Sequence, residues 1–340
     1  MMNAKERVLN RLQGKPVDRV PNTSLIMSFA PRYIGKPSSE FFLDYRVLVE
    51  SSIKTNIDFG LDIMSTISDS YREAYDFGAK IEFPHDSLPV SKEHFIKSYD
   101  DLKKLKVFNP YDSTRMLDRI KAVELFKKEV GSDYPVMGWV ECPLAEAGDL
   151  RGVNDMLYDF YDEPEMIREL LDICLETGIS CAKAQIEAGA DIIGMGDAVA
   201  SLVGRKFYME YAYDYEKKLI AAVHDMGAIA KLHICGNITD LLDDLKTVGA
   251  DIIDIDWMVD YKTACDKMQG TASICGNIDP VRIIKDGNPE LIKEAVRSCL
   301  EAGDAKSFIS SGCEIPVGTP HENLLAVSQA LSEYGGDYNG

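Results

Sequence analysis

The chain has 340 residues, 46% of them hydrophobic and 27% charged, with a formal net charge of −19. That is length enough for a large buried core, and so acidic a balance argues against a nucleic-acid or anionic-membrane surface. No apolar run approaches a membrane span, no signal-peptide pattern opens the chain, and the eight cysteines are scattered, so a reduced cytoplasmic protein is expected.

In chain order, "MMNAKERVLNRLQGK" reads as an amphipathic helix with Val8, Leu9 and Leu12 on one side. Eight short apolar runs then read as strands: Val20–Ile26, Leu61–Thr66, Tyr134–Val140, Asp191–Gly196, Ala228–Ile234, Asp251–Asp256, Thr271–Gly276 and Lys306–Gly312. Helical periodicity fills the intervals, as in Pro164–Glu187, Tyr208–Asp225 and Pro289–Ala302. The turns in Ala74–Val90 indicate a hairpin inserted after the second strand, with Tyr71, Tyr75 and Phe77 packing it or covering a flat ring. The alternation predicts an α/β fold, a single (β/α)8 TIM-type barrel over residues 1–340, with an open doubly wound sheet as the alternative.

Two segments share the word Ile-Cys-Gly-Asn-Ile: "KLHICGNITD" from Lys231 and "ASICGNIDP" from Ala272. Both sit where a strand turns towards a helix, and glycine and asparagine suit such turns. Only the first copy adds a histidine. His233 and Cys235 are two apart on a strand, so both can aim at one point. Cys313, in "SSGCEIP", ends the last strand on what would be the same rim; Cys275 and Cys142 compete as third ligand. Two thiolates and an imidazole make a zinc set with one position left open, the catalytic arrangement.

"RVPNTSLIMSFAPRY", "GADIIGMGDAVASL", "KLHICGN", "SICGNIDP" and "SSGCEIPVGTPHENL" together resemble the uroporphyrinogen decarboxylase superfamily, and within it the methylcobamide:coenzyme M methyltransferase branch. The resemblance runs from about Glu6 to the C-terminal helix. It implies zinc on His233, Cys235 and Cys313, and it places Cys275 outside the ligand set. It also implies transfer of a methyl group between a corrinoid, brought by a partner corrinoid protein, and a small-molecule donor or acceptor. The decarboxylase branch resembles the chain less: of its arginine-rich segment, "LIMSFAPRY" keeps only Arg32 and Tyr33.

Methyl leaves cobalt(III) as a methyl-cation equivalent, so the acceptor must be a strong nucleophile. Zinc supplies one by deprotonating a thiol; in reverse it would polarise a methyl ether or thioether as a Lewis acid. Among nearby carboxylates, Asp197 is the expected hydrogen-bonding group for substrate or corrinoid. Glu141 is a candidate for zinc's open position at rest, and Glu146 and Glu314 are further carboxylates expected near the metal. His321 is expected to start the last helix, with Thr319 as cap and Pro320 in the first turn. His224 is expected to be exposed; His85 and His94 belong to the insert. A porphyrinogen-type decarboxylase and a non-catalytic corrinoid carrier are the competing readings.

Overall fold

The computed structural model describes residues 2–336. The N-terminal helix, Ala4–Leu12, is started by a reciprocal cap in which Asn3 Oδ1 accepts from Glu6 N–H at 2.8 Å and Glu6 Oε2 accepts from Asn3 N–H. Val8 of the expected apolar side is buried and Leu12 packs beside it, but Leu9 is only half-buried, and Ala4, Arg7 and Arg11 turn inward as well. The two arginines are admitted because each finds acceptors, Arg7 on Asp18 and Asp62 and Arg11 on the carbonyl of Ser307.

Among the described residues nine strands follow: β1 (Met64–Ser65), β2 (Ile81–Glu82), β3 (Val90–Ser91), β4 (Val136–Glu141), β5 (Ile192–Gly196), β6 (Ile229–Ile234), β7 (Ile252–Ile255), β8 (Ser273–Ile278) and β9 (Phe308–Ser311). β1 and β4–β9 form one parallel sheet in sequential order, joined by helical crossovers. β4–β9 are rich in isoleucine, valine and methionine and buried almost throughout, as strands covered on both faces must be. β2 and β3 pair antiparallel, which is the inserted hairpin. It is narrower than expected, because Ala74–Phe77 belong to a helix, Arg72–Phe77. Tyr75 packs edge-on against Phe83 of the insert.

The first expected strand is reduced to a single bridge, Asn22 with Ile309. Asp62 N–H donates to Asn22 O at 2.8 Å and Thr23 N–H to Ile309 O at 3.0 Å. One extended segment thus bonds β9 at one end of the sheet and Asp62, two residues before β1, at the other, and closes the ring. The interior is filled by Leu25, Ile63, Ile67, Met137, Trp139, Ile192, Ile252, Cys275 and Phe308, with Val8 of the N-terminal helix joining them. A larger apolar layer lies between the sheet and the helices.

Pro164–Glu187 and Pro289–Ala302 are helices with the expected bounds. The expected helix Tyr208–Asp225 is two, Gly204–Tyr211 and Tyr213–Asp225, broken at Ala212. Eight residues span about 12 Å on a straight helix; the break brings the Tyr208 hydroxyl to 2.7 Å from Glu216 Oε2. The last helix begins at His321, but Thr319 does not cap it: its hydroxyl donates to the carbonyl of Pro316. Among the described residues no helix is long and apolar enough to cross a membrane.

Candidate metal centre

The parallel register carries one line of residues around the barrel wall: Glu141 pairs with Gly196, Gly196 with His233, His233 with Asp254, and Asp254 with Cys275. In-register neighbours share a face of the sheet. Cys235 lies one residue beyond β6 and Cys313 two beyond β9. His233 Nε2 is 2.9 Å from Cys235 Sγ, and Cys235 Sγ is 3.7 Å from Cys313 Sγ. The three ligand atoms lie within 4.8 Å of one another. Cys275 is elsewhere, inside the barrel with its sulfur 3.1 Å from Thr23 Oγ1; Cys142 is fully buried at the start of the helix Pro143–Arg151.

The electrostatics of the triplet favour a cation. The hydrogen bond from Cys235 pushes the Cys313 thiol down to about 4 against the effect of burial, with His233 assisting; the same bond, and then burial, raise Cys235. Burial would lower His233, but Cys235 and Asp254 outweigh it and raise it well above its usual range. These shifts favour a thiolate at Cys313 and a proton on His233, and a bound metal would displace the imidazole proton. Two soft sulfurs and one nitrogen suit zinc.

Behind His233 lies a pair of residues the sequence reading missed. Asp254 Oδ2 is 3.3 Å from His233 Nδ1 and 2.8 Å from Lys231 Nζ, and all three side chains are buried. The approach angles are oblique, so these are close ionic contacts in place of formed hydrogen bonds. They turn Nδ1 towards the carboxylate and leave Nε2 for the metal side. The available signal was a charged residue inside each of two apolar strands, "AKLHI" and "DIIDI".

A cavity of about 180 Å³ adjoins the triplet. Leu25, Met27, Ile67 and Trp139 supply its apolar wall, and Asp69, Glu141, Asp197 and Glu314 its carboxyls. Glu141 Oε1 accepts from Arg72 at 2.6 Å and from the Trp139 indole at 3.2 Å; burial pushes its carboxyl up to about 7, with Arg72 opposing. Asp197 is fully buried, accepts from Ala200 N–H, and is raised well above the carboxylate range by burial and by Glu216. Glu314 accepts from Ser28 N–H. Glu146 is buried behind the cavity with neither oxygen bonded. His85, His94 and His224 are exposed and His321 packs against Tyr33, all away from the cavity.

Residues 3–334 match the family model for uroporphyrinogen decarboxylase (URO-D). A methylcobamide:CoM methyltransferase, MtbA, from Methanosarcina mazei is 31% identical over 97% of this chain and 98% of its own length. The corresponding MtaA of Methanosarcina barkeri is 26% identical over the same shares. A uroporphyrinogen decarboxylase of Prochlorococcus marinus is 27% identical over 96% of each chain. Among solved structures, a methyltransferase from Methanosarcina mazei superposes with a TM-score of 0.90 at 24% identity, covering 98% of this chain and 99% of that one.

Proposed function

The chain belongs to the uroporphyrinogen decarboxylase family, and from that premise we propose that it is a methyltransferase exchanging a methyl group between a methylcobamide and a small molecule, with zinc held by His233, Cys235 and Cys313. The observation that carries this reading is the convergence of one imidazole and two sulfurs beside a small cavity, in a chain with a methylcobamide:CoM methyltransferase among its relatives. A cavity of about 180 Å³ suits a small thiol or ether. A corrin ring is far larger, so the methylcobamide would approach from outside, on a partner corrinoid protein.

Bound there, zinc would supply an unprotonated thiolate at neutral pH, or in the other direction Lewis acidity at the substrate's oxygen or sulfur. Lys231 and Asp254 orient the His233 ring. Trp139, Ile67, Leu25 and Met27 limit water beside the reacting sulfur. Asp197 and Glu141 are the proposed polar contacts: both line the cavity, burial raises the Asp197 carboxyl well above its usual range, and Glu141 accepts from Arg72 and Trp139. A cytoplasmic location accords with free thiols at the site.

Two measurements test this. Purified protein should contain about one zinc per chain, lost in Cys235→Ser and Cys313→Ser. With methylcobalamin and a thiol, the methylated cofactor's absorption should decay only with the zinc-loaded protein. A metal-free protein, indifferent to added zinc and inert with thiols, methoxyaromatics and thioethers, would be the result that removes the proposal and returns attention to decarboxylation.

A further inference from the structure

We propose that the small molecule handled at this site is neutral or cationic in the part that lies against the cavity wall, and not an anion such as a sulfonate or carboxylate. The inference rests on the methyl-transfer reading and adds the substrate's charge class to it.

The ionisable wall of the cavity, outside the metal triplet, is made of carboxyls alone. Asp69, Glu141, Asp197 and Glu314 line it, and no lysine or arginine does. Two guanidiniums stand close, but both are buried and engaged: Arg72 Nη2 lies 2.6 Å from Glu141 Oε1, and Arg115 Nη2 lies 2.6 Å from Asp69 Oδ2. Behind them, Glu73 contributes a further carboxyl 3.6 Å from Arg72, and Glu146 another that has no bonded partner. Two thiolates already neutralise a divalent metal, so the centre itself adds little attraction for an anion.

An anion entering this space would leave its hydration shell and meet no free cation. It would also face the Asp69 carboxylate, which Arg115 and Arg72 hold in its ionised form although burial opposes them. A neutral group loses far less, since Leu25, Met27, Ile67 and Trp139 offer apolar contact. A cation gains the Asp69 carboxylate. The relatives' acceptor, coenzyme M by name, is therefore not assumed for this chain.

The test uses three thiols with one two-carbon spacer: 2-aminoethanethiol, 2-mercaptoethanol and 2-mercaptoethanesulfonate. Binding is read on the cobalt(II)-substituted protein by the sulfur-to-cobalt charge-transfer band, with each dissociation constant referred to thiolate concentration. Methylcobalamin consumption by the zinc protein is read in parallel. The sulfonate should bind at least about tenfold more weakly than either of the others. Met27→Lys, which sets an ammonium on the half-buried cavity wall, should move the sulfonate ahead of the amine. Equal or tighter sulfonate binding by the unmodified protein overturns the charge assignment and leaves methyl transfer standing. If no thiol perturbs the band and none consumes methylcobalamin, the methyl-transfer reading fails and the charge assignment fails with it.

Discussion

Asp254 is the residue on which the orientation of His233 depends, and Lys231 is what makes Asp254 tolerable in the barrel interior. A lone buried carboxylate is expensive; Lys231 and His233 lower its pKa against the effect of burial. The two roles separate experimentally. Asp254→Asn strands the Lys231 ammonium and should cost about 3–5 kcal/mol of stability. It should also weaken zinc by about 10- to 100-fold in chelator competition, because the carboxylate behind a metal-ligating histidine is gone. The double change Lys231→Met with Asp254→Asn removes both charges and should recover most of the stability, read by denaturant midpoint. The zinc affinity should stay low; full recovery of both would mean that Asp254 serves packing alone.

At the scale of single elements, β5 explains how large side chains enter a crowded barrel. A Cβ on Gly194 would stand 2.2 Å from Trp139 Cε3, and one on Gly196 would stand 2.8 Å from Glu141 Oε2. The two glycines of "GMG" make room for the tryptophan and glutamate of the neighbouring strand. Gly194→Ala should therefore displace Trp139, cost about 1–3 kcal/mol by overpacking, and quench or shift the buried indole's fluorescence. On the outer side of the same strand's end, Asp197 meets Glu216 of the helix Tyr213–Asp225. Burial raises Glu216 from 4.5 to about 7, its bonds to Tyr208 and Asp197 opposing. A carboxyl raised on folding contributes stability below its unfolded value and loses it as pH rises through its folded one. Melting temperature should fall between about pH 5 and pH 8, and Glu216→Gln should flatten that fall; an unchanged slope would show that Glu216 is ionised throughout. Much of this architecture was legible. The short apolar runs located the strands, and the His-x-Cys spacing, with Cys313 at another strand's end, marked residues that the fold does bring together. The first strand was not legible as a lone bridge, because "VPNTSLI" is as apolar as the others and only its neighbours decide how far it pairs. Asp69, Arg72 and Arg115 were missed because their partnerships span tens of residues and leave no local pattern.

Across the whole molecule, the ring is closed by its weakest joint. β4–β9 pair over several residues each, whereas the closing segment holds β9 through one bridge at Asn22 and bonds onward to Asp62. The three candidate ligands come from the ends of β6 and β9, Cys235 and Cys313 being 78 positions apart. A metal on them would tie the middle of the sheet to the strand beside that joint, and because the site exists only in the folded chain, its binding free energy adds to folding. Zinc at 100 times its dissociation constant should then stabilise the protein by about 2.7 kcal/mol. Cys313→Ser should lose most of that response, whereas Cys275→Ser, which changes a sulfur inside the barrel, should keep it. The effect should also be local: without zinc, the Thr23 and Ile309 amides, whose bonds form the joint, should exchange with solvent faster than those of β5 and β6. Uniform exchange with and without metal would mean that the joint is held by the N-terminal helix and the barrel interior, and that the metal contributes to chemistry without contributing to closure.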